Sequence, residues 1–121
     1  MVLIDTSVWV DHLRRGNPAL TELLTDAEVV CHPFVVGELA CGNLRNRSEV
    51  LTLLQSLPST PEVAHEDLLQ FVERHRLMGQ GLGLIDVHLL ASARLAALPL
   101  WTLDRRLRVA ATALNAGFPC R

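Results

Sequence analysis

Short apolar runs and longer stretches of apolar residues at helical spacing alternate along the whole chain. Val2, Leu3 and Ile4 form the first run and predict a strand. Polar Asp5, Thr6 and Ser7 follow, and Val8, Trp9, His12 and Leu13 then repeat as one face of a helix. Asn17-Pro18 supplies an N-cap with proline at the first helical position, which opens a second helix through Leu20, Leu23 and Leu24. Val29, Val30 and Cys31 predict the second strand. Pro33 starts a helix carrying Val35, Val36, Leu39 and Ala40, and Val50, Leu51, Leu54 and Leu57 mark another. Residues 59–63 contain proline and suit only a sheet edge. Leu68, Leu69, Val72, His75 and Arg76 lie around an amphipathic helix whose wetter positions hold Glu66, Asp67, Glu73 and Arg74. The glycines at 79, 81 and 83 break this helix and predict a flexible connection, because no convincing strand precedes them and no lysine follows. A helix over residues 85–97, a strand over 100–103, a helix over 104–115 and a short edge strand at Phe118 complete the pattern. Buried strands alternating with helices imply an α/β/α sandwich, with a small central parallel sheet of four to five strands flanked by helices. Ligands of such sheets gather at the carboxyl ends of the strands.

The chain has 121 residues, half of them hydrophobic, which fits a single domain spanning 1–121 around one core. No apolar run approaches the roughly 18 residues of a membrane span, and no basic segment precedes the first apolar run. The expectation is a cytoplasmic protein with no membrane partner. Cys31, Cys41 and Cys120 lack ligand spacing and are read as reduced thiols, with Cys31 and Cys41 as small buried hydrophobes. All eleven basic residues are arginine. Without lysine, a P-loop ATPase, a Schiff-base enzyme and a phosphorylated receiver domain each lose a required group. A net charge of −2 argues against a strongly basic nucleic-acid coat but leaves room for local arginine patches.

Four acidic residues sit in apolar surroundings. Asp5 closes Val-Leu-Ile and Asp104 closes Leu-Trp-Thr-Leu, so parallel neighbouring strands would bring both to one edge of the sheet. Asp86 enters the first turn of an apolar helix. Glu38 has Phe34 and Val35 one turn before it and Cys41 and Gly42 one turn after, which predicts a buried carboxylate. Helix capping would account for Asp5 and Asp104, dipole complementation for Asp86, and an ion pair with Arg45 for Glu38. If the four converge within about 5 Å, they repel by roughly 3 kcal/mol per pair at an effective dielectric of 20. Such a cluster requires a cation, and all-oxygen ligands point to a hard octahedral ion, magnesium or manganese rather than zinc. Carboxylate-held ions of this kind suit phosphodiester hydrolysis.

Asp5-Thr6-Ser7 after the first strand, Glu38 in the helix after the second, Gly83-Leu84-Ile85-Asp86 opening a long helix, and Leu100-Trp101-Thr102-Leu103-Asp104-Arg105-Arg106-Leu107 together resemble the PIN-domain ribonucleases. More narrowly, the chain resembles the VapC toxins of bacterial toxin–antitoxin pairs, over essentially its whole length. The resemblance implies a magnesium-dependent endoribonuclease, commonly a homodimer, held inactive by a VapB-type antitoxin and acting on structured RNA. It also implies that Asp5, Glu38, Asp86 and Asp104 form the catalytic site. Asp5, Asp86 and Asp104 are expected to hold the metal, with Glu38 as a ligand or as the group orienting water.

Thr6, Ser7 and Thr102 are expected to support these carboxylates by hydrogen bonds, with helix capping as the other reading of Thr6 and Ser7. Arg105, Arg106 and Arg108 are candidate RNA phosphate contacts, beside the reading of a solvated helix face. His88 is read as a core or surface histidine, and both tryptophans as core, which leaves no aromatic platform for stacking bases. A catalytically silent PIN-like binding module and a metal-dependent DNA nuclease share this residue pattern. A small-molecule phosphatase would need a cap insertion that the short connections leave no room for.

Overall fold

The computed structural model describes residues 1–119, so the thiol of Cys120 lies outside the described residues. The chain runs β1 (Val2–Ile4), α1 (Thr6–Arg15), α2 (Pro18–Thr25), β2 (Val29–Val30), α3 (Pro33–Ala40), α4 (Arg47–Ser56), α5 (His65–His75), α6 (Leu84–Ala96), β3 (Leu100–Trp101) and α7 (Arg105–Ala113). The strands form a parallel sheet in the order β2-β1-β3. Every strand residue is buried, so helices cover both faces of the sheet, the condition under which short parallel strands persist.

Three strands stand where four to five were expected. Both anticipated edge segments are present, but each is reduced to a single parallel bridge, Cys31 to Ser59 on one side and Leu100 to Gly117 on the other. Proline explains the shortening. The Ser59 bridge is held by Cys31 N–H to Pro58 O at 2.7 Å and Thr60 N–H to Cys31 O at 3.0 Å. Pro58 and Pro61 bracket it and cannot donate to extend the ladder. On the other edge, Phe118 N–H reaches Leu100 O at 3.1 Å and Pro119 ends the run.

Leu3, Ile4, Val8, Leu20, Leu89, Leu90, Leu107 and both tryptophans form the buried centre. Cys31 is buried as expected, whereas Cys41 is exposed, because it caps α3 just beyond the last turn that packs on the core. His88 is buried.

Register positions the functional edge. Ile4 pairs with Trp101 and Leu3 with Val30, so Asp5, one residue past Ile4 and two past Leu3, shares one level with Thr102 and His32 at the carboxyl ends of the strands. Helix α1 leaves from Asp5, α3 from His32 and α7 from Asp104.

Candidate active site

Asp5 is the buried carboxylate of the group, at 6% exposure. Its Oδ2 accepts from Ser7 Oγ at 2.6 Å, from Thr102 Oγ1 at 2.7 Å and more weakly from Ser7 N–H at 3.4 Å. Each hydroxyl has one proton, and both protons are committed to Asp5. The 3.2 Å approach of Ser7 Oγ to Thr102 Oγ1 is therefore a contact between two oxygens that share an acceptor. The hydroxyls accept in turn from the backbone that follows β3: Leu103 N–H to Ser7 Oγ at 2.9 Å and Asp104 N–H to Thr102 Oγ1 at 3.0 Å. This network ties the end of β1 to the turn carrying Asp104, across nearly the whole length of the chain.

Asp104 caps α7 through Oδ1, which accepts from Leu107 N–H at 3.1 Å. Asp86 sits in the first turn of α6, and its Oδ2 accepts from Gly83 N–H at 2.9 Å. Glu38 Oε1 accepts from Thr6 Oγ1 at 2.6 Å, a link from α1 to α3. The capping reading holds at Asp5 and Asp104: each carboxylate anchors a helix through one oxygen. Among the described residues, Asp5 Oδ1, Glu38 Oε2, Asp86 Oδ1 and Asp104 Oδ2 receive no hydrogen bond from the protein.

Glu38 corrects one expectation. It is exposed, and the apolar and small residues on its side of α3 line an open edge, since Gly42 and Cys41 are exposed too. Val35 and Leu39 carry the buried face of that helix. Nor does Glu38 pair with Arg45: among the described residues the ion pairs within 4 Å are Met1 with Glu28 and Arg15 with Asp11, so none of the four carboxylates has an arginine partner.

Asp86 registers the other three. Burial pushes its carboxyl above the ordinary aspartate range, the Gly83 amide opposes this, and the charges of Asp5, Asp104 and Glu38 raise it further. The charges of three carboxylates from three other parts of the chain therefore reach Asp86. Three of the four also lie at helix N-termini, where the backbone dipole favours negative charge. As the side chains lie, no three His, Cys, Asp or Glu residues among the described residues stand close enough to cage an ion. The donor set still fits a hard divalent cation. Four uncommitted carboxylate oxygens without a basic partner match an ion that binds one or two carboxylates directly and keeps several waters.

The three arginines separate in space. Arg106 lies over the glycine loop at Gly81, whereas Arg105 and Arg108 line a shallow depression with Val109 and Thr112. Thr102 holds Asp5 from the neighbouring strand. In the sequence Gly81 reads only as part of a helix-breaking loop, and His32 carries no assigned role. His32 had a signal, since it occupies the N-cap position that Pro33 defines, where its ring Nδ1 accepts from Phe34 N–H at 3.0 Å.

Ser7→Ala tests the network. It removes one donor to Asp5 and the acceptor for Leu103 N–H, so we expect a loss of about 1–3 kcal/mol of stability and roughly tenfold in activity. Chemical denaturation and initial rates read both, and an unchanged rate would show that Thr102 alone holds Asp5.

Residues 2–113 match the PIN domain family. The chain is also similar to a protein named Ribonuclease VapC32 from two strains of Mycobacterium tuberculosis, CDC 1551 / Oshkosh and ATCC 25618 / H37Rv. In each case the identity is 49% over 111 residues, covering 91% of this chain and 90% of the relative.

Proposed function

Since the chain belongs to the PIN-domain family, alongside the VapC ribonucleases, we propose that it is a magnesium-dependent endoribonuclease and the toxin of a bacterial toxin–antitoxin pair. One observation carries this reading: Asp5, Glu38, Asp86 and Asp104 each commit one oxygen to the fold, leave the other uncommitted, and have no arginine among the described residues to balance them.

In this reading Asp5, Asp86 and Asp104 would hold the ion, and Glu38, the exposed member, would orient the attacking water. A bound divalent ion supplies a water of lowered pKa and a counter-charge for the leaving oxygen. Ser7 and Thr102 keep Asp5 in one rotamer, and Thr6 does the same for Glu38. A bound cation would oppose the upward shift that burial and the acidic neighbours impose on the Asp86 carboxyl. Arg105, Arg106 and Arg108 supply phosphate contacts that position the RNA without reading its sequence.

The substrate is structured RNA of the transfer or ribosomal class, and manganese substitutes for magnesium. A VapB-type antitoxin is the inhibitory partner and the protein works in the cytoplasm. The working unit is a homodimer. Leu53 on α4 and Leu69 on α5, each more than half exposed, supply apolar surface for it. Among the described residues no helix is long and apolar enough to cross a membrane.

The test is incubation of purified, antitoxin-free protein with total cellular RNA, in magnesium and in EDTA. Discrete fragments in magnesium and none in EDTA are expected. Intact RNA with a folded, magnesium-supplied protein would refute the ribonuclease reading, and cutting of DNA alone would reassign the substrate.

A further inference from the structure

We propose that Gly81 is a positioning residue that seats Arg106 at the edge of the acidic site, where the guanidinium takes an RNA backbone phosphate flanking the bond that is cut. This deepens the ribonuclease reading and rests on it.

The loop backbone passes directly beneath the Arg106 side chain. A Cβ built on Gly81 would stand 2.6 Å from Arg106 Nη1, 2.9 Å from Cδ and 3.0 Å from Cζ, so close that the Arg106 side chain would have to shift. Gly81 also holds φ +75°, a conformation that favours glycine. Both ends of this contact lie two residues along the chain from a residue of the acidic site. Two residues beyond Gly81, the Gly83 amide donates to Asp86 Oδ2, and Arg106 follows Asp104 by two residues.

Nothing internal to the fold accounts for a cation there. Arg106 has no carboxylate within 4 Å among the described residues. It lies with Arg105 in the first turn of α7, which contains no acidic residue, where the helix dipole disfavours positive charge. A guanidinium that is exposed, without a carboxylate partner among the described residues and laid along a glycine loop is suited to an external anion. RNA must bring its own negative charge past those carboxylates, and a phosphate is the anion a planar guanidinium fork matches.

Gly79 provides a matched control. Its φ is +72°, and a Cβ there would meet nothing within 4 Å, so Gly79→Ala imposes the same backbone strain without touching Arg106. At Gly81 the obstructed atoms are mainly the far end of a flexible side chain, so Gly81→Ala displaces Arg106 and leaves the fold standing.

The experiment measures anisotropy of a fluorescein-labelled RNA hairpin in magnesium, over a salt series, with every variant made in an Asp5→Asn background to prevent cutting. Arg106→Ala is expected to weaken binding roughly tenfold and to lower the slope of log K against log salt by about 0.7–0.9, the value of one phosphate contact. Gly81→Ala should reproduce both changes, Gly79→Ala neither, and Arg106→Lys should restore the salt slope. The double variant Gly81→Ala with Arg106→Ala should bind no more weakly than Arg106→Ala alone. Losses that add, or a Gly81→Ala variant that behaves like Gly79→Ala, overturn the proposal. Failure of the ribonuclease reading appears separately, as a wild-type protein that cuts no RNA in magnesium, and leaves this binding comparison readable.

Discussion

Asp5→Asn is expected to lower magnesium-dependent RNA cleavage by about a thousandfold or more, with a melting temperature within a few degrees of wild type. The hydrogen bonds at Asp5 predict both halves of this result. Oδ2 takes the two hydroxyls and the Ser7 amide, and the carbonyl oxygen of asparagine can accept the same three donors. The amide nitrogen then occupies the Oδ1 position, which receives no hydrogen bond among the described residues. It cannot ligate a cation, and it contributes no negative charge. Asp104→Asn follows the same logic, since asparagine is as good an N-cap as aspartate for Leu107 N–H while its charge is gone. Initial rates in magnesium, beside thermal melts of the same samples, check the expectation. A folded Asp5→Asn protein that still cuts RNA in a metal-dependent way would remove Asp5 from the catalytic set.

Lowering the pH from about 6.5 to about 4 is expected to cost the protein about 3 kcal/mol through His32 alone, a large part of the stability of a domain this size. His32 is completely enclosed. Its Nδ1 accepts from Phe34 N–H, so the ring proton lies on Nε2 and points to Ser92 Oγ at 3.1 Å, and Ser92 Oγ donates onward to Pro61 O at 3.2 Å. Every partner is satisfied by the neutral ring. A second proton would remove the cap of α3 and charge an enclosed site, so burial, aided by the charge of nearby His88, pushes His32 from 6.5 down to about 4. The unfolded chain takes up a proton below pH 6.5 that the folded one refuses until about pH 4. Stability is therefore fully present above that window and is lost as the pH falls through it. His88 and His75, also depressed, act in the same direction, and Asp86, which is raised, acts against them. The comparison is with His32→Asn, which keeps a capping acceptor but does not titrate. Urea unfolding in EDTA at pH 7 and pH 4.5 should show a markedly shallower loss for the variant, and parallel losses in the two proteins would exclude His32 as the source.

Local sequence carried much of the architecture. Val2 to Ile4, Val29-Val30 and Leu100-Trp101 are apolar on both faces, which only a strand covered on both sides allows, and helical periodicity separates them. Asn17-Pro18 and Pro33 mark helix starts that the structure places at those positions. The edge strands were overcounted because apolar character and β-propensity do not register how early a neighbouring proline ends a ladder. At the candidate site, the order of Asp5, Glu38, Asp86 and Asp104 was legible because each stands at a strand end, in a first turn or on a helix side that lacks other polar groups. Burial was not, and Asp5 rather than Glu38 is the enclosed carboxylate. An apolar helix face looks the same in sequence whether it meets a core or borders an open cleft.

What the sequence determined by itself is therefore whatever is encoded within a few residues: strand and helix periods, caps, prolines, and the kinds of groups that end each strand. What only the tertiary structure decided are the pairings between distant segments: Thr102 on Asp5, Thr6 on Glu38, His32 on Ser92 and Arg106 over Gly81. The first follows from the register of β1 with β3, and the others from how helices and loops pack around that sheet. Such contacts are fixed by the closure of the whole core, and no local signal along the chain specifies them.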